Sequence, residues 1–264
     1  MAANGEMFSG SADVYNRFVG RYGPGLARAF IDAAGITPEA RVLDVGCGTG
    51  ALTEALVERV GGANVSAVDP SEPFVEACRS RAPDADVRVG HAEALPFEDR
   101  SFDAVLSQLV VNFLPDVPQG MAEMRRVTRT GGTVGGCVWD YKGEMTMLRT
   151  FWDAAAALDR DGAGPVVEGR IMPFAQPKDL EKLWVDSGLD DVRVDPLVTE
   201  AAYEDFDDLW APFPTGVGPA GRYAASLGAE AQEALREEFF RRLGEPQGPF
   251  TLYARAWCAL GRVD

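Results

Sequence analysis

The residues of this chain that could do chemistry gather around one glycine-rich segment, VLDVGCGTGAL (42–52). A glycine turn between a strand and a helix lets a ligand approach the backbone, close to the positive N-terminus of that helix. Asp69 ends the next apolar run, 23 positions after Gly46. A carboxylate placed there can accept both hydroxyls of a ribose. Gly46, Gly48 and Ala51 also satisfy the relaxed dinucleotide fingerprint GxGxx(G/A), so these residues alone leave an NAD(P)-dependent oxidoreductase open. Trp139 and Asp140 close a later apolar run, at the edge where open α/β sheets bind ligands.

The surrounding pattern supplies the framework. Helical spacing over 11–34 is broken by GRYGPG into two helices. ARVLDVG ends in glycines as a buried strand, and 51–60 has a helix period. Strands are predicted at 63–69, 87–90, 102–108 and 132–140, the last loosened by its glycines, with helices through Pro73 to Arg81 and over 121–128. Strands alternating with helices imply βαβ units, a largely parallel sheet and right-handed crossovers that put helices on both faces. Beyond 140 the predicted order is a helix (144–158), a Gly/Pro-rich loop (162–177), a helix (178–188) and a strand (192–198). Helices containing 204–210 and 229–243 and an alternating strand at 250–260 complete it. The stretches 141–177 and 200–249 are too long for turns and are expected to cap the sheet's active edge.

Composition narrows the function classes. The chain has 264 residues, 25 Lys+Arg against 41 Asp+Glu, one His and a formal charge of −16. Such an acidic balance argues against a nucleic-acid partner, because a phosphate backbone rewards clustered Lys and Arg. The local group Arg125, Arg126 and Arg129 reads as a solvated helix face. No apolar run approaches the ~18 residues of a membrane span, and the first residues do not read as a signal peptide. The four cysteines hold no CxxC pair, so buried thiols, no metal site and a cytoplasmic setting are expected.

VLDVGCGTG, followed by VDPSE, GHAEALPFEDRSFDAVLS and MRRVTRTGGT, resembles the successive motifs of class I S-adenosylmethionine (SAM)-dependent methyltransferases. The resemblance is closest to the ubiquinone/menaquinone-biosynthesis branch and to bacterial small-molecule methyltransferases. It implies an α/β, Rossmann-like, doubly wound seven-stranded sheet with an antiparallel last strand, plus helical cap insertions. One domain over 1–264 would comprise an N-terminal helical lid (1–36), a SAM-binding core (37–140), cap insertions (141–177 and 200–249) and closing elements (178–199 and 250–264). The family roles assign Asp44, Gly46, Cys47, Gly48 and Gly50 to the methionine end of SAM. Asp69 takes the ribose, Pro70 lines the adenine slot, and His91, Ala92 and Glu93 flank adenine. Backbone groups at Ser107 and Gln108 meet the methionine ammonium, while Tyr15 and Arg21 belong to the lid, with Arg21 pairing the SAM carboxylate bidentately.

His91 stands where the family usually has Asp; its free imidazole nitrogen can still accept from the adenine amino group, and that capacity goes on protonation near the ~6.5 reference value. Its place beside adenine argues against its serving as general base. Asn112, Phe113, Trp139, Trp210 and Phe213 are acceptor-contact candidates; for Trp210, Phe213 and Phe174 the competing expectation is cap core. The acidic run 204–208 reads as a helix start. No catalytic residue stands out; Asp140 and Tyr15 are weak-base candidates. A methyl sulfonium carries its own leaving group, so alignment, worth roughly 7–11 kcal/mol, outweighs a base worth roughly 3–5 kcal/mol. The expectation is therefore methyl transfer from SAM, leaving S-adenosylhomocysteine, to a small-molecule N, O or activated C acceptor. A non-catalytic SAM-binding protein is the other alternative.

Overall fold

The computed structural model describes residues 12–264. Of the expected lid, 1–11 lie outside the described residues. The rest of it consists of α1 (Ala12–Arg17), a 3-10 turn (Val19–Tyr22) and α2 (Gly23–Ala34). Pro24 opens α2 and a left-handed Gly35 closes it.

The sheet begins with β1 (Val42–Val45), then α3 (Ala51–Val60), β2 (Val65–Asp69), α4 (Glu72–Arg81), β3 (Asp86–Val89) and β4 (Phe102–Gln108). α5 (Val117–Val127) starts at Asp116, whose carboxylate accepts from the Gln119 N–H at 3.1 Å. It leads into β5 (Thr128–Trp139). After α6 (Thr146–Leu158), α7 (Arg160–Ala163), α8 (Glu168–Ile171) and α9 (Pro177–Asp186) come β6 (Asp190–Tyr203), α10 (Phe206–Trp210), α11 (Gly218–Ser226), α12 (Ala229–Arg242) and β7 (Phe250–Arg262).

The seven strands run in the order β3-β2-β1-β4-β5-β7-β6. β1 pairs in parallel with β2 (Val42↔Val65) and with β4 (Val42↔Ala104), so the chain reverses direction across the sheet at β1/β4. That switch opens a crevice at the carboxyl ends of these strands. β7 inserts antiparallel between β5 and β6 (Cys137↔Cys258, Leu197↔Ala256). The burial of every β1 residue, VLDV, explains its unbroken apolar look, with Asp44 the exception that needs a purpose.

Three expectations about local structure change. β6 extends to Tyr203, paired with Phe250, so the second insertion begins after 203 rather than at 200. The 162–177 stretch holds α8 and not only loop. The glycines of β5 make room rather than loosen it: a Cβ on Gly136 would lie 2.6 Å from the Trp184 ring, whose Nε1–H donates to Val134 O at 3.0 Å.

The two insertions share one aromatic core. Phe151 stacks on Phe213 (4.5 Å between centroids), Phe213 stacks on Trp210 (5.7 Å), and Phe239 meets Phe151, Phe206 and Phe213 edge-on. Phe18 joins it from the N-terminal side, edge-on to Phe213 at 4.9 Å. The cap and Phe18, between α1 and α2, are thus packed together over the crevice. Among the described residues no helix is long and apolar enough to cross a membrane.

Candidate active site

A cavity of about 680 Å³ lies between the carboxyl ends of β1, β2 and β4 and the cap, within the range of small-molecule sites. Its floor is the glycine loop. Gly46 and Cys47 donate to Val68 O at 2.8 and 3.0 Å, and Gly50 donates to Cys47 O at 2.9 Å. Gly46 has φ +77, and a Cβ there would sit 2.5 Å from Val110 Cγ2. Only glycine permits both that backbone and that approach.

Asp44 is fully buried on β1 and lines the cavity. Its Oδ2 accepts from Thr53 Oγ1 at 2.7 Å, while Oδ1 has no partner. Burial raises its pKa from 3.8 to about 7, against the pull of the Thr53 hydrogen bond. Gln108 is similar: its Nε2 donates to Gly23 O at 3.3 Å and its Oε1 is buried without a partner. Two unsatisfied acceptor oxygens on one cavity wall call for a ligand with N–H donors.

Asp69 ends β2 with its Oδ2 accepting from Gly48 N–H and its Oδ1 from Ser71 N–H, both at 2.9 Å. It therefore shapes the glycine loop as well as facing the cavity, and each oxygen keeps a lone pair. Burial raises its pKa, opposed by those two bonds and by His91. α1 is tied to the loop by Thr49 Oγ1 donating to Asn16 Oδ1 at 2.7 Å, and Tyr15 packs 5.9 Å from the Phe74 ring.

Of the residues singled out in sequence, Tyr15, Asp44, Gly46, Cys47, Gly48, Asp69, Pro70, His91, Ala92, Glu93, Gln108, Phe113 and Trp139 line this cavity. The others are engaged elsewhere. Arg21 forms a bidentate pair with Asp208, donates to Ala202 O at 3.2 Å and lies 4.9 Å over the Tyr203 ring, so it clasps β6 and α10 instead of facing a ligand carboxylate. Asp140 is buried outside the cavity. Arg255 holds its Oδ2 at 2.6 and 2.9 Å, and Gly143 and Glu144 N–H groups cap it. That leaves it no access to an acceptor. Tyr15 does line the cavity, yet burial and the Asp69 charge push its pKa to about 12, which keeps the hydroxyl protonated at neutral pH.

The Ser107 hydroxyl is spent inside the sheet, donating to Val45 O at 3.0 Å, so only its backbone could face a ligand. Gly50 faces Cys78 instead of the cavity. The Cys47 thiol is hydrogen-bonded to Cys78, and this with burial raises its pKa far above the ordinary range. Asn112 sits behind the wall, with Nδ2 3.7 Å from Met172 Sδ. Trp210 and Phe213 belong to the aromatic core of the cap.

The spacing rules missed Val110 beside the glycine loop and most of the cap side of the cavity: Tyr141, Leu148, Glu168 and Met172. A lone Glu in a Gly/Pro-rich stretch gives no periodic signal, although a charged residue there on a four-residue helix is what the tertiary fold buries.

Residues 43–135 match a family model described as a methyltransferase domain. A demethylmenaquinone methyltransferase of Renibacterium salmoninarum is 41% identical over 105 residues, covering 40% of this chain and 44% of the relative. A malonyl-[acyl-carrier protein] O-methyltransferase of Erwinia pyrifoliae is 37% identical over 131 residues, covering 48% of this chain and 49% of the relative. The match thus spans about half the length of these relatives or less. A solved structure titled as a SAM-dependent methyltransferase of Thermotoga maritima superimposes with TM-score 0.52 at 18% identity, covering 96% of this chain and 99% of that one. At that identity the likeness is one of fold.

Proposed function

We propose that this chain, whose residues 43–135 match a methyltransferase-domain model, binds SAM and transfers its methyl group in line to a small-molecule acceptor. One observation carries the cofactor assignment: Asp44 Oδ1 and Gln108 Oε1 are buried, unpartnered and on the wall of the same crevice. An ammonium such as that of a methionine moiety would satisfy both.

Asp69 would accept the ribose hydroxyls on the lone pairs that Gly48 and Ser71 leave free, with Pro70, His91 and Ala92 beside the adenine. Bound SAM supplies a methyl on a sulfonium whose leaving group is a neutral thioether. The glycine loop and the Asp44–Thr53 bond fix one reactant, while Phe113, Trp139, Tyr141 and Met172 surround the other and exclude water. Holding the two aligned is worth roughly 7–11 kcal/mol. Residues 1–36 would then serve as the lid, and the insertions 141–177 and 200–249, less the β6 residues up to Tyr203, as the cap.

Calorimetric titration with S-adenosylhomocysteine, SAM, NAD and NADP tests this directly. Binding of the two adenosyl-sulfur ligands without the nicotinamides is expected. Tight binding of NAD or NADP instead would overturn the proposal and return the glycine loop to the dinucleotide reading. Release of S-adenosylhomocysteine with an acceptor panel then separates an enzyme from a SAM-binding protein without turnover.

A further inference from the structure

The cap half of the cavity is apolar and aromatic, walled by Phe113, Trp139, Tyr141, Leu148 and Met172. Among the described residues its one ionisable carboxyl is Glu168, on α8, only 3% exposed. Oε2 accepts from Trp152 Nε1–H, and Oε1 accepts from Ala220 N–H at 3.2 Å. The Glu168 backbone N–H is a further donor to the carboxylate, and all three donors are neutral.

A purely structural part is better filled by Gln or an apolar residue, because burying a carboxylate without a partner charge in contact is costly. Burial raises the Glu168 pKa to about 7, opposed by its own backbone N–H, by the Trp152 and Ala220 bonds and by the charge of the exposed Arg222. The group therefore exchanges a proton near neutral pH, as acid–base catalysis requires.

We propose that Glu168 is the catalytic base of this site and that the acceptor is an apolar primary or secondary amine. The assignment of the transfer step rests on the methyl-transfer reading above. An amine enters as its ammonium and pairs with the ionised carboxylate beside the aromatic residues Trp139 and Tyr141 of the wall. One N–H proton passes to a Glu168 oxygen, leaving a neutral amine and a neutral acid. The freed lone pair forms the new N–C bond, and the C–S bond breaks with its electron pair retained on sulfur. The positive charge moves from sulfur to nitrogen, so charge balances. The aromatic wall disfavours hydrated polyols, and a phenol brings no positive charge to pair with the ionised carboxylate.

The test uses benzylamine, phenol and toluene as matched probes on the protein saturated with S-adenosylhomocysteine. Wild type should bind benzylamine about tenfold tighter than toluene, and Glu168→Gln should erase the difference. S-adenosylhomocysteine affinity should stay within about twofold, since the glycine loop is untouched. The wild-type protein gives the same answer without a substitution at Glu168, should that variant fail to fold. The indole N–H resonance of Trp152, identified as the one missing in Trp152→Phe, should shift with benzylamine and not with toluene. Equal binding of benzylamine and toluene, a preference that survives in E168Q, or a preference for phenol would overturn the assignment. Failure of S-adenosylhomocysteine to bind would overturn the methyl-transfer reading; the benzylamine preference, measured without it, still reports on Glu168.

Discussion

Replacing Asp44 by Asn should make the ligand-free protein more stable and the cofactor site worse. Burial raises this carboxyl from 3.8 to about 7. At roughly 1.4 kcal/mol per pKa unit, its ionisation costs the fold about 4 kcal/mol at pH 8 and about 2 kcal/mol at pH 5. Because the folded value lies above the unfolded one, stability is fullest below pH ~4 and is lost as pH rises toward 7. An asparagine side chain at this position would keep an oxygen for Thr53 Oγ1 and carry no charge. Urea denaturation of both proteins at pH 5, 6.5 and 8 should show a gain for D44N approaching about 4 kcal/mol at pH 8 and about half that at pH 5. Glu168 titrates in the same direction but in both proteins, so it cancels in the difference. S-adenosylhomocysteine should meanwhile bind about 10- to 150-fold more weakly, the loss of a charge-assisted hydrogen bond worth roughly 1.5–3 kcal/mol. A D44N variant less stable than wild type at pH 8, or a gain independent of pH, would refute the reasoning.

Two further outcomes are expected. Gly46→Ala should lose about 1–3 kcal/mol of stability, because φ is +77 and the new Cβ meets Val110 at 2.5 Å. Calorimetry should find its S-adenosylhomocysteine binding abolished, and wild-type affinity would remove the loop from the site. The Arg21–Asp208 clasp should give a coupling of about 1–2 kcal/mol in a double-mutant cycle of Arg21→Ala and Asp208→Ala. Arg21 lowers the Asp208 pKa, so this contribution should be present above the ordinary carboxylate range and vanish as pH falls below ~4. S-adenosylhomocysteine affinity that drops in R21A but not in D208A would restore Arg21 as a ligand contact.

The glycine loop and Asp69 were legible because each is set by chain-local constraints, whereas Asp44 and Gln108 came only through the family resemblance. A strand that ends in a tight turn fixes where the next side chains point, whatever the rest of the fold does. Arg21 and Asp140 illustrate the opposite. In sequence each is a charged group near a presumed ligand. In the fold their charges are satisfied by Asp208, 187 residues away, and by Arg255, 115 residues away. Asp69 shows a milder version, since its bonds to Gly48 and Ser71 make it part of the loop's architecture. Replacing it with Ala should therefore disturb the loop as well as the ribose site. Trp210 and Phe213 were ambiguous because aromatic residues serve cores and pockets alike; packing against Phe151 and Phe239 puts them in the cap.

The sequence by itself determined the alternating α/β order and the glycine loop that follows the first strand. These arise from local periodicity and from the handedness of βαβ crossovers. Only the tertiary structure decided which carboxylates remain available for chemistry. Availability depends on burial and on partners distant in sequence, and no local pattern encodes either. Glu168 is the clearest case: a residue in an unpatterned loop becomes, once α6 and α11 fold over it, the acidic group of the cap wall.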